Sequence, residues 1–118
     1  MPKALPLLDT SAPVCCAPLA AGVMASQDAL AVALRLKALA DPVRVQLMSM
    51  LLAEPDTGVC TCDLAPAVNL SEATVSHHLK QLREAGLVEG TRKGTNVYYR
   101  PQPAALGALV RVLDPNCC

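Results

Sequence analysis

Ser71-Glu72-Ala73-Thr74-Val75-Ser76-His77-His78-Leu79-Lys80-Gln81-Leu82-Arg83-Glu84-Ala85-Gly86 is the stretch that decides the fold. Ser71 is a good helix N-cap and Gly86 a good stop. Val75, Leu79 and Leu82 fall at i, i+4 and i+7, which gives one buried helical face. Thr74, His77 and Lys80 point away from it. Upstream, Cys60-Thr61-Cys62-Asp63 leads into a short helix ending near Val68, and Asn69-Leu70 turns the chain. Downstream, residues 87–92 and 95–100 read as strands, with Lys93-Gly94 between them as a tight hairpin signal. A short helix, a tight turn and a capped helix make a helix-turn-helix, and the hairpin after it makes a wing.

The flanks complete the order. Ser26 can cap an Ala- and Leu-rich helix to about Leu39, apolar on nearly all sides and suited to burial against a partner. Asp41-Pro42 is an N-cap followed by proline at the first helical position. It opens a helix to about Ala53, with Val43, Leu47, Met50 and Leu51 expected inside. Pro55, Asp56 and Gly58 form a loop. Leu106, Leu109, Val110 and Leu113 make an apolar stripe on a last helix. The expected class is mainly α with a small β-hairpin wing, in the order α-α-α-α-β-β-α. Residues 1–24 carry Pro2, Pro6, Pro13 and Pro18 without a helical period and read as a flexible arm. Residues 25–114 form the domain and 115–118 a cysteine tail. No internal repeat is present.

The 118 residues include no Trp, no Phe and two Tyr, so the core must be built from small aliphatic residues. Such a core is thin for one small chain, and sharing apolar surface with a second copy would help. Formal net charge is zero. Its distribution is uneven. Residues 71–100 carry Lys80, Arg83, Arg92, Lys93 and Arg100 against Glu72, Glu84 and Glu89, a balance of +2, while residues 1–70 balance at −2. A dimer would double the basic excess on one surface. No stretch reaches the ~18–20 apolar residues of a membrane span. The N-terminus is interrupted by Pro6, Asp9 and Pro13 and has little positive charge, which argues against a secretory leader. A cytoplasmic protein is expected, where six cysteines point to metal or redox chemistry rather than structural disulfides. Neither a Gly-rich phosphate loop nor a nucleophile–base arrangement is present, so no enzyme is expected.

A helix fits the major groove of duplex DNA and meets base edges with its exposed side chains. Ser71, Thr74, Ser76, His77 and Lys80 are the candidates here, and Arg92 and Lys93 at the wing tip can reach the phosphate backbone or minor groove. A solvated amphipathic helix and hairpin tip would read the same way. His78 lies beside the buried face and is expected to pack or hydrogen-bond. Longer motifs narrow the reading. Leu36-Lys37-Ala38-Leu39-Ala40-Asp41-Pro42-Val43-Arg44 is similar to F-K-A-L-A-D-P-x-R. Leu70 to Lys80 is similar to L-S-Q-P-T-V-S-H-H-L-K, and Glu84-Ala85-Gly86-Leu87-Val88 and Val97-Tyr98-Tyr99 extend the match. Over about residues 28–113 the chain resembles the ArsR/SmtB family of metal-responsive repressors. The resemblance implies a homodimer joined by the first and last helices, bound to double-stranded operator DNA and released by an inducer. It puts base contacts on Ser71, Thr74, Ser76 and His77. Glu72 and Ala73 depart from the usual Gln and Pro. A glutamate there repels phosphate and can accept from cytosine.

Family sensors of arsenic, antimony, cadmium and lead carry C-V-C-D-L where this chain has Cys60-Thr61-Cys62-Asp63-Leu64. Residues two apart in a regular helix lie about 200° apart and cannot share an ion, whereas in extended chain they share a face. Cys60 or Cys62 could therefore serve singly, or both with local distortion, or both could be packing thiols. Cys15 and Cys16 on the arm are good soft-ion ligands because the arm can fold to suit the ion. Cys117 and Cys118 are weaker candidates. The resemblance implies As(III) or Sb(III) as inducer, with Cys15, Cys16 and one of Cys60 or Cys62 supplying three thiolates. All four would suit a cadmium- or lead-responsive repressor. A thiol redox switch is the remaining alternative. The zinc site of the family uses Asp and His on the last helix, where this chain has no His.

Overall fold

The computed structural model describes Leu19 and residues 22–114. The arm cysteines Cys15 and Cys16 and the tail cysteines Cys117 and Cys118 lie outside the described residues. Among those described, the order is α1 (Ser26–Leu39), α2 (Pro42–Ala53), β1 (Val59–Cys60), α3 (Thr61–Val68), α4 (Glu72–Glu84), β2 (Val88–Lys93), β3 (Asn96–Pro101) and α5 (Pro103–Leu113). This is the expected order with one addition. The pair Val59–Cys60 forms a short strand antiparallel to β3, so the hairpin becomes a three-stranded sheet in the order β1-β3-β2. Two residues are too few to show a period of two, which is why the strand is invisible in the sequence.

Local chemistry sets most boundaries. The Asp41 carboxylate accepts from the backbone N–H of Val43 at 2.8 Å and of Arg44 at 3.3 Å, ahead of Pro42. Partial burial works to raise the Asp41 pKa, but these two N–H donors and the charges of His78 and Arg44 hold it below the usual carboxylate value. Ser26 is the first helical residue of α1 rather than its cap, since the Ala25 carbonyl accepts from the N–H of Ala29. Asn69 ends α3 in the left-handed region at φ 61°. Its N–H reaches the Pro66 carbonyl, and that of Leu70 reaches Ala65. Gly86 (φ 78°) ends α4 with the same pair of bonds, from Gly86 to Arg83 and from Leu87 to Leu82. Both are Schellman closures, and the first is the turn of the helix-turn-helix.

The described residues divide into two compact units, one of Lys37–Gln102 and one of the segments up to Leu36 and from Pro103. In the first, Leu47, Leu51, Leu64, Val75, Leu79, Leu82 and Leu87 are fully buried. The reading of α4 holds in full. That of α2 shifts: Leu47 and Leu51 are inside, but Met48 takes the buried place expected of Met50, and Val43 is half-buried. In the second unit, α5 buries Ala105, Ala108, Leu109 and Val112. Val110 and Leu113, expected in the apolar stripe, are 58% and 40% exposed.

Gly90 faces Tyr99 across the hairpin. A Cβ there would come within 2.9 Å of Tyr99 Cε1 and 3.2 Å of Val97 Cγ1. Tyr99 is buried, so a displaced ring must press on its packed neighbours. Gly90→Ala should therefore cost about 1–3 kcal/mol, read as a lower urea midpoint at unchanged slope.

Candidate nucleic-acid interface and thiol site

The turn at Asn69-Leu70 sets α3 against α4 and leaves the N-terminal half of α4 facing solvent. Ser71 caps α4: its Oγ accepts from the Thr74 N–H at 3.2 Å and donates to Thr74 Oγ1 at 2.9 Å. Ser71, Thr74, His77 and Lys80 are exposed and Ser76 is half-buried. All five expected reading residues thus lie on one short helix, four of them open to solvent. Glu72 is exposed in the first turn, where it competes with any phosphate for the helix N-terminus.

At the wing, Lys93 pairs with Asn96 around Gly94-Thr95. Gly94 has φ 66°, the sign a two-residue II′ hairpin requires at its first central position. Arg92 and Lys93 are exposed, and the Lys93 ammonium sits 5.3 Å from the centre of the Tyr98 ring. Arg100 is held by Glu89 at 2.8 Å, and Gln102 donates to the same carboxylate. A shallow cavity of about 380 Å³ lies beside the wing, lined by Asp56, Thr57, Thr91, Lys93, Tyr98 and Arg100.

The thiols Cys60 and Cys62 meet. Cys60 is the N-cap of α3 in extended backbone (φ −74°, ψ 148°), and Cys62 sits in the first turn. Their Cα atoms are 5.1 Å apart and their sulfurs are paired as a disulfide. Cys60 Sγ also accepts from the Cys62 N–H at 3.1 Å. The helical spacing that would hold two such residues apart does not apply, because only one of them is helical. Cys60 is buried and Cys62 exposed, so a reagent reaches the pair from the Cys62 side. Pro66 has no N–H to offer the Cys62 carbonyl, which leaves the first turn of α3 one bond short. Cys60 also pairs with Tyr98 of β3. The two sulfurs therefore sit where the first helix of the helix-turn-helix joins the wing sheet. No group of three or more His, Cys, Asp or Glu that could hold a metal ion converges among the described residues, and the Cys60–Cys62 pair becomes two sulfur donors only when its disulfide is reduced. Sequence reasoning missed one polar contact on α4: Arg44 of α2 donates to His78, a residue expected to hydrogen-bond but without a named partner.

Residues 41–90, from the α2 cap into the first half of β2, match the model of the bacterial regulatory protein, arsR family. Over 88 residues the chain is 41% identical to a Halobacterium salinarum protein provisionally named an arsenical resistance operon repressor, covering 74% of this chain and 71% of that one. The chain belongs to the ArsR family. This is a family of regulators, not of enzymes. A transcriptional repressor SmtB homolog of Synechocystis is 47% identical over 77 residues, 65% of this chain and 56% of that protein. The chain spans about half the length of the first curated relatives it matches. Among solved structures, the homodimeric winged helix-turn-helix DNA-binding domain of a possible ArsR-family regulator from Mycobacterium bovis superposes with a TM-score of 0.60 at 36% identity, covering 79% of this chain and 88% of that one. The fold is a winged helix-turn-helix. No helix among the described residues is long and apolar enough to cross a membrane.

Proposed function

We propose that this ArsR-family chain is a homodimeric repressor that holds operator DNA until As(III) or Sb(III) binds its cysteine thiolates. The observation that carries this is the proximity of Cys60 and Cys62 at the start of α3, directly before a reading helix whose hydroxyls and His77 face solvent; two-electron reduction of their disulfide by a cellular thiol frees the two thiolates for the ion. Thiolates select soft ions over magnesium or manganese. A trigonal site needs three sulfurs, which Cys15, Cys16 and one of Cys60 or Cys62 supply. Soft-ion binding pins the arm to α3 and pulls on β3 through Cys60. The two reading helices of a dimer then lose their matched spacing. The ion drives release only to the extent that it binds the DNA-free form more tightly. Ser71, Thr74, Ser76, His77 and Lys80 contact the major groove, and Arg92 and Lys93 the backbone.

Dimerisation is supported by apolar side chains left open on α1 and α5. Leu30 and Leu34, one turn apart, are 60% and 50% exposed, and Val110 is 58% exposed. A second copy of the same face covers them in an isologous contact. The relatives include arsenical and cadmium resistance regulators alike, so the choice of arsenic rests on the three-thiolate count. With Cys15, Cys16, Cys60 and Cys62 all engaged, the same site would serve cadmium or lead. The disulfide pairing of Cys60 with Cys62 favours one further reading, in which an oxidant such as peroxide closes the pair and itself releases DNA.

Titrating the operator complex separately with arsenite, antimonite, cadmium, lead, zinc and peroxide separates these readings. Arsenite and antimonite should release DNA at the lowest concentrations. Release by cadmium or lead alone, or by peroxide alone, would replace the proposal with the corresponding alternative. Neutralising Arg92 and Lys93 to Ala should weaken operator binding and flatten its salt dependence by about one unit of slope per charge removed. An unchanged slope would remove the wing from the interface.

A further inference from the structure

Arg44 ties three helices together. Its Nε donates to His78 Nδ1 at 3.1 Å, its Nη1 reaches the Ala38 carbonyl at 3.4 Å, and its backbone N–H caps onto Asp41. The end of α1, the start of α2 and the middle of α4 therefore share one guanidinium. A guanidinium only donates, so Nδ1 must offer a lone pair and the imidazole proton must sit on Nε2. Only neutral His78 can do this, because the imidazolium carries N–H on both nitrogens. His78 stands one turn after Thr74 and two turns after Ser71 on the same side of α4. A shift at this anchor moves both candidate DNA contacts.

We propose that the Arg44–His78 hydrogen bond positions the reading helix for DNA only while His78 is neutral, so that operator affinity falls as His78 gains a proton. The inference rests on the DNA-binding reading above. An unperturbed histidine side chain changes charge between about pH 5 and 8, which sets the range the test must cover. Protonation removes the lone pair and places a cation beside Arg44. Asp41 faces the same histidine from α2 and offsets part of that repulsion. On its own helix His77 lies 6.2 Å away, ring to ring. The other elements packed on α4 bring Asp63 from α3 and Glu89, Arg92 and Lys93 from β2. Glu89 is held by Arg100 and Gln102, and Lys93 lies over Tyr98.

His78→Asn tests this, because the asparagine Oδ1 stands near the place of Nδ1 and accepts at any pH. Operator affinity is measured by fluorescence anisotropy from about pH 8 to about pH 5.5, on duplex DNA from upstream of the chain's own gene. The full-length parent, His78→Asn and Arg44→Met are compared. His77 is present in all three proteins. Parent affinity should fall about tenfold relative to His78→Asn across that range, and Arg44→Met should be weak by about tenfold at every pH. Melting temperatures at each pH separate positioning from unfolding: the affinity ratio should move while the parent stays folded. A constant ratio would overturn the proposal. So would ¹⁵N NMR of the free protein at about pH 8 showing the proton on Nδ1. That spectrum needs no DNA. If no variant binds DNA at any pH, the repressor reading itself fails and the positioning role fails with it, whatever tautomer the spectrum shows.

Discussion

Replacing Cys60 and Cys62 together by serine leaves operator affinity within about threefold of the parent and abolishes release by arsenite. Both halves have a physical basis. Cys60 caps α3 through its sulfur, and serine is among the best residues for that position, so the helix start survives. Loss of the thiolates removes the soft donors outright, because a serine hydroxyl stays protonated at neutral pH. Sensitivity should drop by more than the roughly 10–100-fold that outer-shell partners control, since these are the ligands themselves. Cys15→Ser with Cys16→Ser should give the same loss with DNA binding intact. Release of that double variant at the parent's arsenite concentration would take the arm out of the site. The two single variants divide the pair: loss in both means shared ligation, and loss in Cys62→Ser alone leaves buried Cys60 as a capping thiol.

Leu34→Glu combined with Val110→Glu yields a folded monomer that binds operator at least about a hundredfold more weakly. Both positions are at least half exposed in the single chain, so a glutamate there disturbs no core. In a dimer the same carboxylates are buried against their symmetry mates, where unpaired charge is very costly. A monomer grips one half-site and loses the gain of linking two. Sedimentation equilibrium reads the mass and anisotropy the affinity. A variant that remains dimeric would move the interface off α1 and α5. Monomers with undiminished affinity would mean that one reading helix suffices.

The sequence carried most of this architecture because its signals are local. Asp41-Pro42, Ser71 and Gly86 each bring their own cap chemistry, and Val75, Leu79 and Leu82 repeat through every turn of α4. What escaped was set by tertiary pairing. Val59–Cys60 is a strand only because β3 lies alongside it. Met48 rather than Met50 is buried in α2 because its neighbours, not its period, choose the inward face; nearly every position there is apolar, so the pattern cannot rank them. The stripe on α5 was legible as apolar, but Val110 and Leu113 face out while Ala105 and Ala108 face in. Small residues carry little weight in a pattern, yet they permit close packing. The thiol pair was half legible. Spacing alone left Cys60 and Cys62 either opposed or together, and the helix start falling between them brings them together. Arg44 and His78 sit 34 residues apart, and no periodicity joins them.

A soft ion on the reduced Cys60–Cys62 pair should loosen the grip of α4 on DNA. One titration tests it most directly. Arsenite is added to the reduced, metal-free operator complex while ultraviolet thiolate–ion absorbance and DNA release are followed on the same sample. The two signals should rise together and saturate at the same ratio of ion to protomer, and both should vanish in the double serine variant. Absorbance that saturates while the DNA stays bound, or release that persists without these two thiolates, would contradict it.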